Sequence, residues 1–259
     1  MKFSYSRVET FAQCPRRYKF QYLDRLKTLP DQSPTNALYL GNALHKGLET
    51  GDVERAIEDY TKQYSVLTDE NVHEIIKLEY VIPKALEMLP DGECEVSITT
   101  PTFRGFIDRL CPTYVDENGV QHWDLYDYKY TTNGERYRTS KQLHIYKYYY
   151  ELTHPNNVID HLYYLIIKKV GIRQKFKSKP PETITQFRDR LKECLESSLI
   201  EIMEVEYDES SITQFLDMCK FIEQNTQYPK NESKLCDWCQ YKEYCQSDGE
   251  IDYMIVGRN

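Results

Sequence analysis

The feature that most constrains this chain is a switch of pattern at about residue 93. From there, "ECEVSITT", "FRGFIDRLC" and "HWDLYDYKYT" follow in quick succession, rich in β-branched and aromatic residues and separated by "PT" and "DENG". Such residues suit a pleated, half-buried surface and the separators are turn material, so the pattern predicts three strands joined as a meander. A helix is expected over about 137–152, then a strand in "VIDHLYYLIIKK", whose "LYYLII" centre is apolar enough for burial on both faces.

Before the switch the chain reads as helical. "SYSRVETFAQCPRRYKFQYL" offers Ser6 and Glu9 as a capping box and Val8, Phe11, Tyr18 and Tyr22 at helical spacing, with Pro15 expected to bend or interrupt it. Further helices are expected over about 37–49, 53–65 and 69–89, the first ending near Gly51 and the last carrying a break point at Pro83. Beyond the buried strand, helices over about 181–204 and 211–226 lead into a cysteine-rich end. The middle therefore reads helix, three strands, helix, strand, an α/β order. The whole is expected as a single domain: an N-terminal helix over 1–35, a core over 36–170, a helical region over 171–234, and a cysteine segment with a tail over 235–259.

A chain of 259 residues with 40% hydrophobic content can bury a core of that size. No apolar run of about eighteen residues exists and "MKFSYSRVETF" lacks a secretory start, so a cytoplasmic protein without membrane association is expected. In that reducing compartment eight cysteines suit metal ligation or burial better than disulfides. The formal charge of -8 argues against a protein that coats nucleic acid through bulk charge. Locally, "KKVGIRQKFKSKPP" gathers Lys168, Lys169, Arg173, Lys175, Lys177 and Lys179 without an acid, which describes either a phosphate-facing loop or a solvated one.

Asp108 lies in the second strand segment and Asp127 in the third, with Lys129 two residues on. Strand residues two apart share a face, so Asp127 and Lys129 project together while Tyr128 points away and leaves its carbonyl on the strand edge. If the two strands pair as a hairpin, Asp108 lies beside Asp127, and converging carboxylates repel unless a hard cation such as Mg2+ or Mn2+ sits between them. Such a cation supports phosphodiester hydrolysis, with Lys129 orienting or helping to deprotonate the attacking water. An Asp-x-Lys triplet by itself equally describes a surface ion pair.

Asp108 followed by "DYK" at Asp127, Tyr128 and Lys129, inside that order of elements, resembles the PD-(D/E)XK nuclease superfamily. "LGNALHKGLE" resembles the Gly-x-x-x-His motif of its RecB-like branch through Gly41 and His45, and "QLHIY" matches that branch's Gln-x-x-x-Tyr through Gln142 and Tyr146. The resemblance spans about 41–165 and implies a restriction-endonuclease-like core. It implies a Mg2+- or Mn2+-dependent DNA exonuclease working on single-stranded ends in recombination, repair or CRISPR adaptation, phage enzymes included. Asp108, Asp127, Lys129, Gln142 and Tyr146 would be catalytic, and His45, Asp108, Asp127 and the Tyr128 carbonyl would bind the metal, with Glu49 a further candidate. Arg136, Arg138 and Lys141, together with Lys168, Lys169, Arg173, Lys175 and Lys177, would form the DNA track. Asp127 stands where glutamate is commoner, which shortens the reach to the metal. Two other readings stay open: a catalytically silent subunit of the same fold that holds DNA ends, and a zinc-binding interaction protein.

"CDWCQYKEYC" supplies Cys236, Cys239 and Cys245, one thiol short of a four-ligand centre. In the iron–sulfur-bearing subset of RecB-like nucleases one cysteine precedes the core and three follow it. By that likeness Cys14, in "FAQCPRRYKF", is the fourth ligand of a 4Fe-4S cluster that ties the two ends together. Zn2+ on the same thiolates is the competing occupant. Cys94, Cys111, Cys194 and Cys219 read as buried small apolar groups.

Overall fold

The computed structural model describes residues 1–258. In chain order its elements are α1 (Tyr5–Gln13), α2 (Pro15–Tyr18), β1 (Leu26–Thr28), α3 (Ala37–Thr50), α4 (Val53–Thr61), α5 (Asp69–Leu86), β2 (Glu93–Thr99), β3 (Arg104–Val115), β4 (Gln121–Thr131), α6 (Gln142–Thr153), β5 (Asn157–Lys168), α7 (Ile184–Glu196), β6 (Ile200–Val205), α8 (Ser210–Gln224), α9 (Lys242–Gln246) and β7 (Ile255–Arg258). They form two compact units, one from 1–31, 98–105 and 208–259, the other from 32–97 and 106–207.

The larger unit is built on a sheet of order β2-β3-β4-β5-β6. β3 and β4 pair antiparallel, as a short connection requires. β4 and β5 pair parallel, which needs a crossover, and α6 supplies it. Strands flanked on both sides must be apolar on both faces, and the "LYYLII" run of β5 is buried accordingly. One face of the sheet, with Tyr126, Tyr128, Leu165 and Ile167, packs on Leu44 and Leu48 of α3, Leu78 and Ile82 of α5 and Leu191 of α7. Gly47 lets α3 approach its neighbours: a Cβ there would lie 2.6 Å from Ile82 Cδ1 and 3.0 Å from Ala56 Cβ.

In the smaller unit Pro15 does more than bend a helix. The residue before proline is pushed out of the α region, so α1 stops at Gln13 and Cys14 is extended at φ -160° before α2 begins. The Cys14 segment is tied to the chain that leads into the cysteine run by Arg16 Nε donating to the Tyr228 carbonyl at 2.8 Å and Asn231 Nδ2 donating to the Gln13 carbonyl at 2.7 Å. Tyr241 closes the other side, its hydroxyl donating to the Leu26 carbonyl at 3.0 Å.

Several expected boundaries move. Ser4, not Ser6, caps the first helix, because Phe3 is held in a bridge to Phe103 and the chain turns directly after it. The helix expected over 137–152 begins only at Gln142, after a 3-10 turn over Glu135–Thr139. The helix expected over 181–204 is wrong in its second half: α7 ends at Glu196, and "IEIMEV" is β6, paired antiparallel with β5 from Leu162↔Val205 to Ile167↔Ile200. Glutamate and methionine favour helix locally, but the apolar-acidic alternation and the open edge of β5 decide otherwise. The short pair β1 and β7 was not expected at all. Among the described residues no helix is long and apolar enough to cross a membrane.

Candidate active site and metal centre

The β3–β4 ladder ends at Arg109↔Tyr126. One step further, the Asp108 side chain takes the place of a backbone acceptor, its Oδ2 accepting the Tyr128 N–H at 2.7 Å. The strands part at that point, and the chemistry collects in the gap. His45, on α3, brings Nδ1 to 3.3 Å from Asp108 Oδ1 and sets its ring edge-on to Tyr128 at 5.5 Å. Asp127, 2% exposed, faces Lys129, with 2.5 Å between Oδ2 and Nζ. Lys129 also donates to Gln142 Oε1 at 3.0 Å, and Gln142 Nε2 donates to the Tyr146 hydroxyl at 3.1 Å. Gln142 and Tyr146 lie one turn apart on α6, so the amide is oriented from below and its oxygen is fixed on the ammonium.

Burial and charge oppose each other throughout. Burial pushes the His45 pKa down, but the carboxylates of Asp108 and Asp127 outweigh it and lift it to about 9. Burial raises the pKa of Asp127, Lys129 opposes it and Asp108 adds to it, so the net direction is up. For Lys129 burial works against the ammonium, yet Asp127 and Asp108 carry its pKa above the usual lysine value. Among the described residues the buried Asp127 Oδ2 meets only the Lys129 ammonium at close range. Two converging carboxylates with an imidazole beside them are oxygen and nitrogen donors that a hard divalent cation satisfies, so the donor set fits such an ion.

Sequence reasoning missed Glu95. Ligand atoms of His45, Glu95 and Asp108 all lie within 4.8 Å of one another. Glu95 gets there through a left-handed backbone, φ 53°, within β2. That conformation costs a non-glycine residue on the order of 1 kcal/mol, and no one-dimensional pattern announces it. Burial, then Asp108, raises the Glu95 pKa. Beside this trio, residues of α3 including Gly41, Asn42 and Glu49 line an open hollow of about 420 Å3.

A family model of the PD-(D/E)XK nuclease superfamily matches residues 2–246. The chain belongs to the PD-(D/E)XK nuclease superfamily. No curated protein matches it in sequence. A solved structure described as "Crystal structure of SSO0001" is 12% identical, with 94% of this chain and 85% of that one covered at a TM-score of 0.38. By the family match, the mixed sheet with its helices is a restriction-endonuclease-like PD-(D/E)XK fold, and the family is one of metal-dependent nucleases with DNA as substrate.

The other expected residues of this superfamily member fall into two groups. Cys14, Cys236, Cys239 and Cys245 all line one small cavity of about 50 Å3 in the smaller unit, with Arg17, Lys230 and Lys242 at its wall. Of the remaining cysteines, Cys111 and Cys219 are buried, and Cys94 and Cys194 are half-buried. Among the basic residues, Arg136 and Arg138 are exposed on the 3-10 turn and Lys141 precedes α6. Lys169 rests over the Tyr130 ring at 4.8 Å. Lys168, Arg173, Lys175 and Lys177 are exposed at the end of β5 and on the loop that follows. That loop is less purely basic than its sequence: Glu182 pairs with Arg190 at 2.7 Å and accepts the Lys175 N–H at 2.7 Å.

Proposed function

We propose that this chain is a Mg2+- or Mn2+-dependent deoxyribonuclease of the RecB-like branch, removing nucleotides from single-stranded ends. The observation that carries the reading is the convergence of His45, Asp108, Asp127 and Lys129 at the point where β3 and β4 part. His45, Glu95, Asp108, Asp127 and the Tyr128 carbonyl would hold the metal. When bound, the cation polarises the scissile phosphate and lowers the pKa of the attacking water. Lys129, held as an ammonium by Asp127 and Gln142, orients that water and offsets charge on the phosphate oxygens. The water oxygen forms the new P–O bond and one ester oxygen leaves as a hydroxyl. Gln142 and Tyr146 act through Lys129 and are positioning residues. End-labelled oligonucleotides incubated with and without Mn2+ test the reading: laddering from an end that needs metal supports it, and inert DNA under all conditions refutes it.

The cysteine quartet supports a 4Fe-4S cluster as a second, structural centre. That Cys14, Cys236, Cys239 and Cys245 line one small cavity is what supports a shared centre there, with Zn2+ on the same thiolates as the competing occupant.

A further inference from the structure

Next to Lys129 lies a second cation that the reaction so far leaves unused. The turn over Glu135–Thr139 is seated close on the sheet, because Gly134 before it has no Cβ; one there would lie 2.7 Å from Ile166 Cγ2. This seating brings the half-buried Tyr137 ring within 5.3 Å of Lys129 Nζ. On the same ring rests the Arg136 guanidinium, 4.7 Å from its centre, with Nη2 donating to the Tyr137 hydroxyl at 2.5 Å. Since both cations are measured to one ring centre, Lys129 Nζ and Arg136 Cζ lie no more than 10 Å apart.

The two arginines of this turn are not equivalent. Arg138 is neutralised by Glu135 at 2.7 Å, whereas among the described residues Arg136 forms no ion pair and is exposed. Arg136 is instead held against the Tyr137 ring and hydrogen-bonded to its hydroxyl. A flat guanidinium fixed on an aromatic ring is suited to a phosphate, because little side-chain freedom is left to lose on binding. Lys129 has Asp127 as its acidic partner and Lys169 has Glu74 in its field, so among the described residues Arg136 is the cation of this group left to meet a phosphate. An extended DNA strand spaces its phosphates more widely than the roughly 3.4 Å rise of a duplex strand, so cations up to 10 Å apart can meet successive phosphates.

We infer that Arg136, clamped by Tyr137, is the binding subsite for the phosphate next to the one being cut, on the same strand. This rests on the nuclease reading above and adds the contact that fixes the strand's register.

The test is single-stranded oligonucleotide binding in Ca2+, followed by salt titration, for the wild type and Arg136→Gln. The substitution is expected to weaken binding roughly five- to tenfold and to lower the salt slope by about 0.7, the value for one phosphate contact on a single strand. A neutral methylphosphonate placed beside the scissile phosphate should weaken the wild type equally and cost Arg136→Gln nothing further. In Mn2+, Arg136→Gln should raise KM with kcat within about twofold, while Tyr137→Leu, which frees Lys129 as well, lowers both kcat and affinity. Tyr137→Phe keeps the ring and falls between. An unchanged salt slope, or a methylphosphonate penalty of equal size in both proteins, overturns the subsite while leaving a cleaving wild type as a nuclease. A wild type that cleaves no DNA overturns the reading beneath it.

Discussion

Asp127 and Lys129 depend on each other before any reaction takes place. The carboxylate is buried and among the described residues its Oδ2 has the ammonium as its sole close partner, so removing the lysine strands a buried acid. Lys129→Met should therefore destabilise the metal-free protein by about 3 kcal/mol, and Mn2+ should recover part of the loss in thermal unfolding. Asp127→Ala and Lys129→Ala should each lower cleavage by at least about a hundredfold with circular dichroism unchanged; near-normal rates in both would remove them from the site. His45 sets the pH dependence. Its pKa is raised from 6.5 to about 9, so the proton stabilises the metal-free fold fully below 6.5 and that contribution fades as pH rises through about 9. Metal ligation needs the neutral ring. Apparent Mn2+ affinity should thus climb over the same window and level off above it, with about one proton released per ion near neutral pH. Calorimetry in buffers of different ionisation enthalpy measures this, and His45→Ala should flatten the profile.

Whole elements carry these residues, and small residues set where the elements sit. α3 holds His45 at its working height only because Gly47 admits Ile82 and Ala56. Gly47→Ala should cost about 1–3 kcal/mol by overpacking and weaken metal binding along with it, and trimming the neighbour by Ile82→Val should restore part of both. Urea denaturation and Mn2+ titration of the single and double variants check the pairing. The sequence made the helix visible, since Ala37 onward is periodic and Gly51 ends it in a left-handed cap. β6 was not legible. Its six residues are helix-compatible locally, and only the unpaired edge of β5, whose partner residues stand 33 to 43 positions earlier in the chain and are nowhere apparent in the segment itself, draws it into the sheet.

At the scale of the molecule, the first and last stretches of the chain belong to one unit, in which Cys14 and the three late cysteines share a cavity. Anaerobically purified protein should absorb near 400 nm with about four irons per chain. Cys14→Ser should abolish both and lower the melting temperature, while colourless protein with one zinc would reassign the centre. The sequence by itself determined the order of strands and helices around the site and set Asp127 and Lys129 on one strand face, because periodicity and spacing are local properties of a chain, whereas His45, Gln142 and Tyr146 were singled out through the resemblance to the superfamily. Only the tertiary structure decided that Glu95 lies with His45 and Asp108, that β6 is a strand, and that among the described residues Arg138 forms an ion pair while Arg136 does not. Each of those depends on a neighbour distant in sequence, or on a backbone angle that no residue type requires.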